Sequence, residues 1–144
     1  MFDPDQLRKI AGDKAFARGQ SYADHGHIAL LSLNNDGVVA AAFGTSDYTV
    51  WLNRPPSEIS GQCTCPAYDD AGFCKHLVAT ALVANEAIAQ GDDPPDRIGE
   101  IAAGIAGLDK QQLEKLVLEI ATTDWRSLRS LCFSLGLEWD DDLD

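Results

Sequence analysis

Apolar and polar positions alternate with a period of two between residues 28 and 53, and fall at helical spacing on either side. Ile28–Leu33, Val38–Phe43 and Tyr48–Asn53 read as strands, and Asp36 with Gly37 marks a hairpin between the first two. In the third, Tyr48, Val50 and Leu52 share one face and Thr49 and Trp51 the other. Trp51 thus either packs under a helix or meets a base or a protein partner. After the turn at Arg54, Pro55 and Pro56, a short strand is expected over Glu58–Gln62.

Upstream, Asp3 as N-cap and Pro4 at the first helical position open a short helix to Ile10. Gly12 stops it, and Asp13 is expected to cap a second helix running to about Asp24. Lys14 and Arg18 lie four apart on that helix and share a face, either solvated or in contact with phosphate. His25 and His27 flank Gly26 as turn residues.

Downstream, the stretch from His76 to Ala89 is apolar almost all round, which predicts a helix covered by several neighbours. Gly91, Asp92, Asp93, Pro94 and Pro95 end it. Ile98, Ile101 and Ile105 then recur at helical spacing despite Gly99, Gly104 and Gly107. Asp109 and Gln112 have capping-box spacing before a helix with Leu113, Leu116, Val117 and Ile120 on one face. Asp124 caps a last helix whose Trp125, Leu128, Leu131, Cys132 and Leu135 are expected to point inward. Gly136 stops it, and Glu138–Asp144 is an acidic tail in which Trp139 and Leu143 suit a docking motif.

The pattern predicts an α+β fold: a small antiparallel sheet with flanking helices, then a C-terminal helical extension. The expected division is 1–90 and 91–144.

Composition narrows the function. The chain has 144 residues, 45% of them apolar, enough for a packed core. Its longest apolar run, Leu77–Ala84, falls far short of a membrane span. The N-terminal residues lack an apolar signal core, so reduced cysteines and a cytoplasmic location are expected. The Ala-, Gly- and Asp-rich usage suggests a bacterial source. Eleven basic against 23 acidic residues give a net charge of −12, opposite to the usual footprint of a DNA binder. The charge is uneven. Residues 1–90 carry 6 basic and 10 acidic groups, hence −4, and residues 91–144 carry 5 and 13, hence −8.

The densest chemistry lies between Ser60 and Leu77, where Cys63-x-Cys65 is followed after eight residues by Cys74-x-His76. Three thiols and an imidazole make a complete tetrahedral zinc set. Cys63 and Cys65, two apart in extended chain, point to one side, and Pro66 ends the strand there. Residues two apart on an α-helix diverge by roughly 200°. Cys74 and His76 therefore fit one ion only if Cys74 stands at the helix start and His76 in its first turn. A disulfide and a catalytic thiol are the rival readings. The first requires a very small strained ring between Cys63 and Cys65, and the second has no visible orienting or oxyanion group.

The run CTCPAYDDAGFCKHLVA resembles the SWIM zinc finger, a compact ββα module. That family is found in bacterial and archaeal proteins, plant transposase-related proteins, chromatin-remodelling ATPases and some ubiquitin-ligase-related proteins. Phe16, Arg18, Gly19, Tyr22, Gly26 and the Tyr48–Val50 strand resemble the segment that precedes the finger in bacterial members, so the likeness spans about residues 13–90. The resemblance implies one structural Zn²⁺ on Cys63, Cys65, Cys74 and His76, and binding of protein or nucleic acid. The expected role is a protein-interaction or adaptor component without catalysis. The alternative is nucleic-acid binding, with Lys14, Arg18, Arg54 and Lys75 as candidate contacts. No Walker-type, HExxH or carboxylate-pair signature points to an enzyme.

Overall fold

A computed structural model describes residues 1–56, 58–94 and 96–139, apart from the side chain of Ala71. The docking motif expected around Leu143 lies outside the described residues. Two compact units divide the chain, Met1–Glu100 and Ile101–Asp144.

The first unit holds the sheet: β1 (Ile28–Leu33), β2 (Gly37–Ala42), β3 (Tyr48–Asn53) and β4 (Gly61–Cys63). The strands form an antiparallel meander in sequence order, with Ala42 opposite Tyr48 and Val50 opposite Cys63. Val38, Ala40, Ala42, Val50 and Leu52 are buried on one face, as the alternation demands. Trp51 lies on the other face, 42% exposed, so it is not packed under a helix. A register shift between Leu30 and Ser32 turns Ser32 inward. Its buried hydroxyl donates to Asp96 Oδ1 at 2.7 Å, and the same oxygen accepts the Gly99 N–H.

Helix α1 (Pro4–Ala11) starts as expected, with the Asp3 carboxylate accepting the Asp5 N–H. In α2 (Asp13–Asp24) the cap position belongs to Gly12, which takes φ 78°, so Asp13 is already in the first turn. There its charge faces the positive helix end without capping it. The stretch 66–73 contains a short helix, α3 (Pro66–Ala71), where the sequence reads only as a loop. Pro66 serves both purposes, since it cannot extend a strand yet is pre-set for the first helical turn.

Helix α4 (Lys75–Gln90) is the centre of this unit. It packs on all four strands and on α1 and α2. Alanines at 79, 81 and 84 keep its buried surface low. Gly19 lets α2 come close, because a methyl group there would sit 2.6 Å from Val78 Cβ and 2.8 Å from the Lys75 carbonyl oxygen. Gly91, in the left-handed region, ends the helix. Asn85, one turn before that end, clasps the N-terminus. Its Oδ1 accepts the Phe2 N–H and its Nδ2 donates to the Phe2 carbonyl, both at 2.7 Å, while the Phe2 ring is buried.

Helix α5 (Arg97–Ala106) begins in the first unit and ends in the second. The second unit continues with α6 (Lys110–Ala121) and α7 (Trp125–Ser134), which pack on each other. Asp109 and Gln112 form the expected reciprocal capping box, and Asp124 accepts the Arg126 and Ser127 N–H groups. The expectation that Trp125 and Leu135 point inward does not hold. They are 50% and 64% exposed, because two short helices offer each other one line of contact and leave the flanks uncovered.

Candidate metal centre

Four chain positions converge beneath the sheet's β4 side. Cys63 is the last residue of β4 and Cys65 is the N-cap of α3. Cys74 is the N-cap of α4, and His76 is the second residue of that helix. Cys65 keeps extended backbone angles, so it reaches to the same side as Cys63 even though the strand has ended. Gly61 lets β4 lie against α4. A methyl group there would collide with the Trp51 carbonyl oxygen and press to 2.6 Å on Leu77 Cδ2. The Tyr68 hydroxyl donates to the Gly61 carbonyl at 3.0 Å and ties α3 to the same strand.

All four ligand side chains are buried, and their donor atoms lie within 4.8 Å of one another. His76 Nδ1 is 3.6 Å from Cys63 Sγ and 3.9 Å from Cys74 Sγ. Edges of a tetrahedral zinc shell with these ligands are about 3.6–3.8 Å. Cys63, Cys65 and Cys74 are free thiols, which removes the disulfide reading.

The donor set itself calls for a cation. Cys74 is lowered to about 4, chiefly because the Cys63 thiol donates to it, with burial opposing and His76 and the Leu77 N–H assisting. Cys63 is pushed far above the ordinary thiol range by that same bond to Cys74 and by burial. Burial also raises Cys65. Three thiols this close share one negative charge among themselves, and only a bound cation lets all three ionise. With Nδ1 turned to the thiols, His76 Nε2 is left buried without a hydrogen-bond partner among the described residues. The rings of Tyr22 and Tyr48 flank the imidazole, each with its centroid 5.1 Å away. They fix the ring plane, a role that no local spacing signals, since Tyr22 and Tyr48 come from a separate helix and strand. The residues fit one structural zinc ion, with no ligand position left for a reacting water.

The four candidate nucleic-acid contacts do not form one surface. Lys14 and Arg18 line the α2 face that continues to Tyr22, and Lys75 Nζ sits 4.0 Å above the Tyr22 ring. Arg54 follows the far end of β3, where its guanidinium donates to the Asn34 carbonyl at 2.9 Å. Cys63 lies opposite Val50, so four residues of extended chain, roughly 13 Å, separate Arg54 from the level of that zinc ligand.

A family model for the SWIM zinc finger matches residues 48–85, the span that contains β3, β4, α3, all four ligands and most of α4. No curated protein and no solved structure matches the chain.

Proposed function

From a chain that carries a SWIM zinc finger over residues 48–85, we propose a protein-interaction module, an adaptor in which zinc is structural and no reaction is catalysed. One observation carries this reading. Among the described residues of the second unit only Ala121 is buried, whereas Ile101, Leu118, Ile120 and Phe133 are each more than half exposed. Large exposed apolar surface on a monomer marks a protein contact. The acidic composition fits the same reading, since it repels phosphate backbones. Affinity capture on the zinc-loaded chain tests it, with Phe133→Glu as the control surface. A protein held by the wild type and lost with the variant is expected; equal retention by both refutes a role for these helices.

A second reading, nucleic-acid binding, has one specific support. Lys75 lies over the Tyr22 ring at the start of α4, and Arg18 and Lys14 follow one and two turns back along that face of α2, in the less acidic part of the chain. A salt titration against labelled duplex DNA, single-stranded DNA and RNA decides it. Binding that falls steeply with salt and is lost on Lys75→Glu moves this reading ahead of the first.

A further inference from the structure

Strand β1 is an edge of the sheet, since the strands run in the order β1-β2-β3-β4. The His27 carbonyl accepts the Phe43 N–H at 2.8 Å, so hydrogen-bonded and non-bonded pairs alternate from there along β1. Ala29, opposite Ala41, bonds to β2. Ile28 and Leu30, opposite Ala42 and Ala40, turn their N–H and C=O groups the other way. None of those four groups bonds to another described residue. A bare edge of this kind is a template for one more strand.

The side chains beside the edge indicate what that strand carries. Leu30 packs on the inner face of the sheet, where α4 crosses β1. Leu30, Val83 and Ala87 floor a groove of about 420 Å³, and Glu86, Asp92 and Asp93 rim it. Glu86 accepts from Gln90 Nε2 at 3.0 Å, and none of the three carboxylates is in an ion pair among the described residues. Residues 86–100 carry five acidic groups and one basic, hence −4, and the basic one, Arg97, is paired with Glu100. The groove also lies at the C-terminal end of α4, where the helix dipole is negative. Both effects draw cations. They disfavour a phosphate backbone and the acidic tail of this chain alike.

We infer that this edge docks an extended basic segment of a partner protein, added beside β1 as a fifth strand. Its backbone bonds to Ile28 and Leu30. Side chains two residues apart share a face of a strand, so one apolar side chain enters between Leu30 and α4. Lysine or arginine two residues to either side, on that same face, then meets Glu86, Asp92 and Asp93. The site lies in the first unit and goes beyond the interaction surface proposed for α6 and α7.

The test uses the zinc-loaded full chain and a labelled, end-capped peptide of seven residues, with valine at the centre, lysine two positions away on each side and threonine elsewhere. Fluorescence anisotropy is expected to show binding that weakens as salt rises. A permuted peptide with lysine next to the valine keeps the charge but turns it to the opposite face, and is expected to bind about 10-fold more weakly. Asp92→Lys combined with Asp93→Lys reverses two exposed charges and should weaken the first peptide by at least about 10-fold. At saturation, amide exchange at Ile28 and Leu30 is expected to slow. No binding up to about 1 mM overturns the site, as do equal affinities for the two peptides or unchanged exchange at both amides. Slowing of those amides when the chain alone is concentrated gives the edge to a second copy and overturns it too. Phe133→Glu is expected to leave peptide binding unchanged, so this site and the surface on α6 and α7 fail separately.

Discussion

Replacing Gly19 by alanine sets two effects of opposite sign against each other. In an exposed helix interior the change gains about 1 kcal/mol, because alanine restricts the unfolded chain and favours helix. Gly19 is buried, and its new methyl group would lie 2.6 Å from both Val78 Cβ and Val78 Cγ1 and 2.8 Å from the Lys75 carbonyl oxygen. Ordinary contacts begin near 3.4 Å, so α2 and α4 must separate by several tenths of an ångström or more. Overpacking of this kind costs about 1–3 kcal/mol, and here one obstructing atom is backbone, which cannot rotate away. The balance is a net loss of up to about 2 kcal/mol, toward the upper end because the carbonyl cannot move alone. The displaced carbonyl lies between Cys74 and His76, so zinc should also be given up faster to a chelator. Gly104→Ala is the control, since nothing lies within 4 Å of the added methyl and α5 should simply gain helicity. Urea unfolding with a common slope and a stopped-flow chelator assay measure both consequences. A Gly19→Ala protein as stable as the wild type and equally slow to release zinc would show that α2 does not position the start of α4.

Cys74→Ser removes the thiolate at the start of α4 and should take zinc content from one ion per chain to well below it. The stability cost is about 3 kcal/mol or more, measured by elemental analysis and urea unfolding; full zinc content in the variant sinks the ligand assignment. In the metal-free protein Cys74 is already ionised at pH 7, while Cys63 and Cys65, both raised, keep their protons. Zinc binding should therefore release about two protons, and affinity should fall roughly 100-fold per unit as pH drops through the neutral range. Competition titrations at several pH values give the slope directly, and a flat profile contradicts it. The buried Thr80 hydroxyl has no hydrogen-bond partner among the described residues, so Thr80→Val should raise stability by about 1 kcal/mol at unchanged zinc content. A lower melting temperature for that variant means that the hydroxyl is satisfied in solution.

The ligand cluster was legible because its information is local. Spacing alone placed Cys74 at a helix start and His76 in the first turn, and both stand there. The alternation through β3 and the capping box at Asp109 are equally local, and both appear. Helix α3 escaped because six residues are too few to show a period, and Pro66 signals the end of a strand as strongly as the start of a helix. The C-terminal stripes show a different limit. Periodicity at Trp125 and Leu135 marks a face that needs covering, not what covers it, and both side chains lie open. Likewise nothing in the spacing of Lys14, Arg18, Arg54 and Lys75 tells that Arg54 sits at the far end of the sheet.

The clasp between Phe2 and Asn85 has a kinetic consequence. The zinc ligands Cys63 and His76 are only 13 residues apart and the strands pair strictly with their sequence neighbours, so the sheet and the zinc loop assemble from short loops. Phe2 and Asn85 are separated by 83 residues. Closing that loop costs about 1.6 kcal/mol more entropy than closing the zinc loop. The clasp therefore belongs late on the folding path, after the barrier has been crossed. Asn85→Ala should leave the folding limb of a chevron nearly unmoved and steepen the loss of the native state, with the stability change falling almost wholly on the unfolding rate. The N-terminus thus acts as a bolt on a finished structure: it sets how long the native fold lasts rather than how fast it forms.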